Sequence, residues 1–174
     1  MLELATLGAL MGGPQHGYAL KAWLERYMGS LITVNYGAMY PLLRRLSAEG
    51  LIRIDAADEL TRRSYAITAA GRKRFGLEML AFPSESRVNA RSRFITKFYF
   101  FSHIAAENRA LILKQRHEAL QSMLAGMQDC GLPAETHQLA VFEFAISQMT
   151  SELKWVEDHL RQELSVPAGS IGNG

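Results

Sequence analysis

Apolar positions fill residues 2–11 with few breakers, which predicts a buried helix that "GGP" at 12–14 ends. A second helix is predicted from about His16 to Met28, with Tyr18, Trp23, Leu24 and Tyr27 on its apolar side and Gly29 at its close. In "NYGAMYPLLRRLSAEGLI", residues 35–52, Asn35 is a good N-cap and Gly50 a good stop. On a helical wheel Met39, Leu43, Leu46 and Gly50 fall within about 60° of one another and form the core face. The opposite side carries Gly37, Pro41, Arg44 and Ala48, flanked by Tyr40 and Arg45. Pro41 cannot donate to the carbonyl of Gly37, but both residues face outward, where a lost hydrogen bond costs least. The other reading is a helix that begins at Pro41 as its first residue.

The period then shortens. "LIRIDA" and "RSYAIT" alternate around the polar "ADEL", predicting a hairpin over residues 51–56 and 61–68. Thr68 can cap a fourth helix, residues 69–82, which Pro83 stops. Residues 83–92, "PSESRVNARS", have the composition of a linker. Helical patterns follow at about 93–103, 105–129 and 135–164, and the Gly/Ser/Pro-rich residues 165–174 are expected to be a disordered tail. Three helices and then a hairpin is the order of a winged helix-turn-helix, whose third helix enters the DNA major groove. The expected fold is therefore mainly α: a winged helix-turn-helix domain, residues 1–82, and an α-helical dimerisation domain, residues 93–164.

The last helix carries Leu139, Phe142, Ile146, Met149, Leu153, Val156 and Leu160 at steps of three and four, an unbroken heptad stripe. The helix before it carries Ala106, Ala110, Leu113, His117, Leu120, Leu124 and Met127 in the same way. Two antiparallel helices would satisfy one seam and leave the other for a second copy of the chain, so the stripe of the last helix is the expected dimer interface. His117 interrupts its stripe, either as a pH-sensitive or ligand-contacting group or as a hydrogen-bonded, partly buried histidine. Trp155 beside the other stripe could stack a planar ligand or pack the interface. The aromatic cluster Phe94, Phe98, Tyr99 and Phe101 is expected to pack against the long helices.

Charge adds little. Residues 1–82 hold 10 Lys+Arg against 7 Asp+Glu, net +3, and residues 83–174 hold 9 against 10, net −1. A basic front half fits nucleic acid, and Arg44 and Arg45 gain weight beside Arg62 and Arg63 near the expected wing tip. A third basic run, Arg72 to Arg74, reads as solvated. Cys130 is the sole cysteine, so no internal disulfide can form, and no histidine pair has metal-ligand spacing. No metal or cofactor is expected. Neither a signal-peptide pattern nor a stretch able to span a bilayer is visible, which leads to an expected cytoplasmic protein with no membrane partner. No nucleophile elbow, phosphate-cradling loop or paired acids suggest an enzyme.

Together "LELATLGALMGGPQHGYAL", "NYGAMYPLLRRLSAEGLI" and "RSYAITAAGR" resemble the successive signatures of PadR-type transcriptional regulators across residues 2–74. The most specific pieces are "HGY" at 16–18, "YGAMYPLLRRL" at 36–46, "EGLI" at 49–52, and Tyr65, Thr68 and Gly71. Ala66 departs from the pattern, where many members carry a polar or basic residue. Through "FITKFYFFSHI" and helix layout, residues 93–164 resemble the dimerisation region of the longer subgroup found with virulence-activator regulators. The resemblance implies a homodimer that binds a double-stranded DNA operator, most often as a repressor, in some members released by a small aromatic effector. By position it implies DNA-facing Tyr36, Gly37, Ala38, Tyr40 and Arg44. With the helix cap and the other arginines, the candidate DNA-contacting set is Asn35, Tyr36, Gly37, Ala38, Tyr40, Arg44, Arg45, Arg62 and Arg63. Tyr18 would lie near a ligand site in phenolic-acid responders; the other reading is a core tyrosine. The alternatives to a repressor are an effector-independent activator and a winged-helix protein-interaction module.

Overall fold

A computed structural model describes residues 1–29, 31–55, 63–129 and 131–165. Arg62, Cys130, the turn between the predicted strands and the predicted tail beyond residue 165 lie outside the described residues. The chain divides into two compact units, Met1–Ile104 and Ala105 onward.

In the first unit, α1 (Leu2–Met11), α2 (Gly17–Met28) and α3 (Tyr36–Ala48) precede the hairpin strands. Leu4, Leu7, Leu10, Leu20, Leu24, Met28, Met39, Leu43 and Leu46 are all almost wholly buried and make the core. The apolar side predicted for α2 is only partly right, because Tyr18 and Tyr27 are exposed. The sheet has three antiparallel strands in the order β1–β3–β2: β1 (Gln15–His16), β2 (Ile52–Asp55) and β3 (Ser64–Ile67). Ile54 pairs with Tyr65 and Ile52 with Ile67, while Gln15 takes the other edge of Tyr65.

The base of the hairpin explains why "EGLI" and "TAAG" occur together. Leu51 N–H donates to the Leu46 carbonyl and Gly50 N–H to that of Ser47, a Schellman ending that needs the left-handed conformation Gly50 adopts, φ 69°. Gly50 is exposed, so it ends the helix rather than extending its core face. The Thr68 hydroxyl lies 2.6 Å from the Gly50 carbonyl oxygen and 3.0 Å from that of Leu51, and accepts from Gly71 N–H at 3.1 Å. This caps α4 (Ala69–Leu80) and clasps it to the turn. A Cβ on Gly71 would lie 2.0 Å from the Leu51 oxygen, so only glycine permits the approach.

Residues 83–92 are not all linker. α5 (Arg87–Tyr99) starts inside them, capped where the Ser86 hydroxyl accepts from Asn89 N–H. A 3-10 turn, Phe101–His103, follows. The aromatic run packs into the first unit: Phe100 stacks with Trp23 at 6.3 Å and meets Phe75 edge-on at 5.9 Å, while Tyr99 meets Trp23 at 5.5 Å. The break between units therefore falls after Ile104, later than the linker composition suggests. Lys97 is buried here, its ammonium donating to the Ala81 carbonyl at the end of α4 and lying 4.3 Å above the Phe82 ring. Burial, reinforced by Arg93, pushes it down to about 8.

The second unit is an antiparallel pair, α6 (Ala106–Asp129) and α7 (Thr136–Ser165). The start of α7 is capped by the Glu135 carboxylate, which accepts from His137 and Gln138 N–H. Register is fixed by cross-helix pairs. Arg116 and Glu152 form a buried one at 2.7 Å, and Arg109 reaches Glu163 at 2.9 Å. Ile112, Leu113, Leu120 and Val156 are buried around them.

Candidate nucleic-acid interface

The outward side of α3 is the candidate site, and its start decides its shape. The Asn35 side chain accepts from Ala38 N–H at 2.8 Å, with extended backbone at the cap, so the helix begins at Tyr36 and Pro41 lies inside it. A start at Pro41 is thereby ruled out. Gly37, Ala38, Tyr40, Pro41, Arg44 and Ala48 are all exposed, opposite the fully buried Met39, Leu43 and Leu46. The backbone of Tyr36 belongs to this first turn; its side chain is not among those described.

Two other segments reach the same surface. Gly17 opens α2 with its N–H donating to the Arg63 carbonyl, which brings the exposed Arg63 to the start of α2. A Cβ on Gly17 would lie 3.2 Å from the Tyr65 ring and 3.7 Å from the side chains of Leu43 and Tyr40. The "HGY" segment is thus pressed against α3 and the wing strand, which gives a physical reason for these motifs to occur as a set. Tyr18, next along, is 69% exposed and so not a core residue.

The two arginines of "RR" differ sharply. Arg44 is exposed and makes no ion pair among the described residues. Arg45 turns toward α1: Nη2 reaches Glu3 Oε2 at 2.5 Å, and Nη1 reaches Glu49 Oε1 at 3.0 Å. Glu3 also binds Arg74 at 3.0 Å, and Arg74 binds Glu78 at 3.2 Å. Burial pushes the Glu3 carboxyl up, but bonds and charge from Arg45 and Arg74 outweigh it and hold it below the usual range. The bonds to Glu3 and Glu49 push Arg45 up. The helical wheel places Arg44 on the outward side and Arg45 on its flank, yet both enter the candidate DNA-contacting set; the pattern misses Glu3, whose only advance sign is a charge in a helix otherwise built for burial.

Residues 6–77 match the family model "Transcriptional regulator PadR-like family". That stretch is a PadR-like domain. The matched stretch contains the outward side of α3 with Gly17 and Arg63, while Glu3 and Glu78 lie just outside it. The chain is also similar to the negative transcriptional regulator PadR of Bacillus subtilis (strain 168), 23% identical over 131 residues, 74% of this chain and 71% of that protein. Among solved structures it is similar to Bacillus subtilis PadR in complex with operator DNA: 19% identity, TM-score 0.46, 93% of this chain and 98% of that one. A PadR-like transcriptional regulator from Bacillus cereus gives 21% identity, TM-score 0.43, and coverage of 94% and 98%.

The second-unit candidates divide in the same way. His117 Nε2 lies 3.1 Å from the Glu157 carboxylate, a cross-helix tie. Trp155 lies against His159, one turn along its own helix, with ring centroids 4.0 Å apart and the planes tilted by 37°. Of the α7 stripe, Val156 is wholly buried within the chain, while Leu139, Phe142, Ile146, Met149, Leu153 and Leu160 are only half-covered. Val141 and Phe144, outside the predicted stripe, are 68% and 64% exposed. No helix among the described residues is long and apolar enough to cross a membrane.

Proposed function

We propose that this chain is a PadR-like, DNA-binding transcriptional regulator, a cytoplasmic, non-enzymatic repressor that binds its operator as a homodimer. Two copies of α3 would enter successive major grooves roughly 34 Å apart. Gly37 and Ala38 would let the duplex approach, with Asn35, Tyr36 and Tyr40 beside them, Arg44 supplying charge, and Arg62 and Arg63 reaching the backbone from the wing. The observation that carries this reading is the division of α3 into two faces. One is apolar and wholly buried; the other exposes small residues and Arg44, which makes no ion pair among the described residues. The similarity to a negative regulator supports repression. The half-covered residues of α7 support a second copy of the chain as partner. A small aromatic effector would act by binding one spacing of the two α3 helices better than another, with Tyr18, His117 and Trp155 as candidate contacts.

A gel-shift with duplex DNA from upstream of its own gene, over a salt series, tests the reading. Binding that weakens steeply with salt is expected. Absent or salt-insensitive binding would defeat it.

A further inference from the structure

We propose that Arg45 is a positioning residue: Glu3 bridges it to Arg74 and so fixes the rotation of α3, and Arg45 does not itself neutralise a phosphate. The inference rests on the DNA-reading face proposed above and changes what one of its arginines does.

The geometry carries it. Arg45 lies one residue beyond Arg44, about 100° around the helix. That turn takes it off the outward face and onto Glu3 of α1, 42 residues away in sequence. Two of its nitrogens are engaged by two different carboxylates. Glu3 shares its other oxygen with Arg74 of α4. The alternation continues from Arg74 to Glu78 and from Glu78 to Arg93 of α5, 3.8 Å, then to Glu85, 2.6 Å. One carboxylate thus ties three helices at a point on the flank of the reading face. The Glu3 side chain is 17% exposed, so water competes weakly for it.

Charge accounting favours the same role. A phosphate that recruited Arg45 would meet two carboxylates already held by the same guanidinium. A charge so balanced adds less to counterion release than Arg44, which makes no ion pair among the described residues and would release about one. The fork geometry also matters. A guanidinium can hold two carboxylates at once, and a lysine ammonium cannot hold them in the same plane.

The test measures full-length protein binding to duplex DNA from upstream of its own gene and to a random-sequence duplex of equal length. Wild type is run first. If wild type shows no salt-sensitive binding, the DNA-reading face itself fails and takes this role with it, a result distinct from any variant's behaviour. With wild type bound, Glu3→Gln and Arg45→Met are each expected to weaken the upstream duplex about threefold to tenfold. The double variant should be no weaker than the worse single one. Random-duplex affinity and the slope of log K against log salt should stay at wild-type values. Arg45→Lys, which keeps the charge, should lose specific binding nearly as much as Arg45→Met, and it serves if the methionine variant melts below the assay temperature. The proposal is overturned if Glu3→Gln strengthens binding, if Arg45→Met lowers the salt slope by about one, if Arg45→Lys binds as wild type does, or if none of the variants changes specific binding.

Discussion

In the first unit the large apolar side chains of α1, α2 and α3 vanish into one core, and Leu7, Leu24, Met39 and Leu46 are fully buried. In the second, α7 runs for 30 residues and only Glu152 and Val156 are buried. Both units are patterned for burial at helical spacing. The difference is who does the covering. The first unit closes on itself through a sheet, a clasped turn and the aromatic run of α5. The second has one helix to cover another, which leaves the rest of each apolar stripe only partly covered within that unit. A hydrophobic stripe says that a face will be covered; it does not name the neighbour.

Ile146→Asp tests that contrast most severely. It places a charge on the half-covered part of α7, and light scattering should report a monomer in place of a dimer. A stable dimer would move the interface elsewhere. Within the hairpin, Arg116→Met removes the buried cross-helix charge partner of Glu152 and should cost about 3–5 kcal/mol in thermal or denaturant unfolding. Adding Glu152→Leu to that variant should recover most of the loss. An equal loss in both proteins would show that the pair matters for packing, not charge.

A matched glycine pair sharpens the comparison. Gly71→Ala drives a Cβ into the Leu51 carbonyl and should destabilise the first unit by about 3 kcal/mol. Gly126→Ala, in α6, has no atom within 4 Å of the new Cβ and should stabilise the second by about 0.5–1 kcal/mol. Unfolding curves read both signs, and a loss at Gly126 would mean that a partner helix covers it.

The titration of Lys97 gives a pH-dependent counterpart. Its folded value, about 8, lies below the ordinary 10.5, so burial penalises the charged form. Between those values the unfolded chain binds more protons than the folded one, and stability should rise with pH by up to about 3 kcal/mol. Below pH 8 the penalty is fully present. Lys97→Met should flatten that rise, and an unchanged profile would remove the buried ammonium as its source.

Much of the first unit was legible in advance because local signals agreed with the tertiary outcome. The caps Asn35 and Thr68 and the stop at Gly50 all function as their residue types predict. β1 was not legible: two residues, held by backbone pairing to β3, leave no period to read. The start of α5 was hidden because its first turn is polar, and only Ser86 signalled a cap. The aromatic run of α5 had the right character, but pattern could not choose between the two units as its host. At the site, the small and basic face of α3 was readable on a wheel. The fate of Arg45 was only half readable: Glu49 lies at i+4 spacing, but Glu3 lies in another helix and no spacing rule connects them.

The reading face rests most directly on Arg44. Replacing it with alanine should weaken binding to the upstream duplex by about tenfold to a hundredfold and lower the salt slope by about one, with the oligomeric state unchanged. Operator affinity and slope equal to wild type would remove Arg44 from the DNA surface and contradict the account.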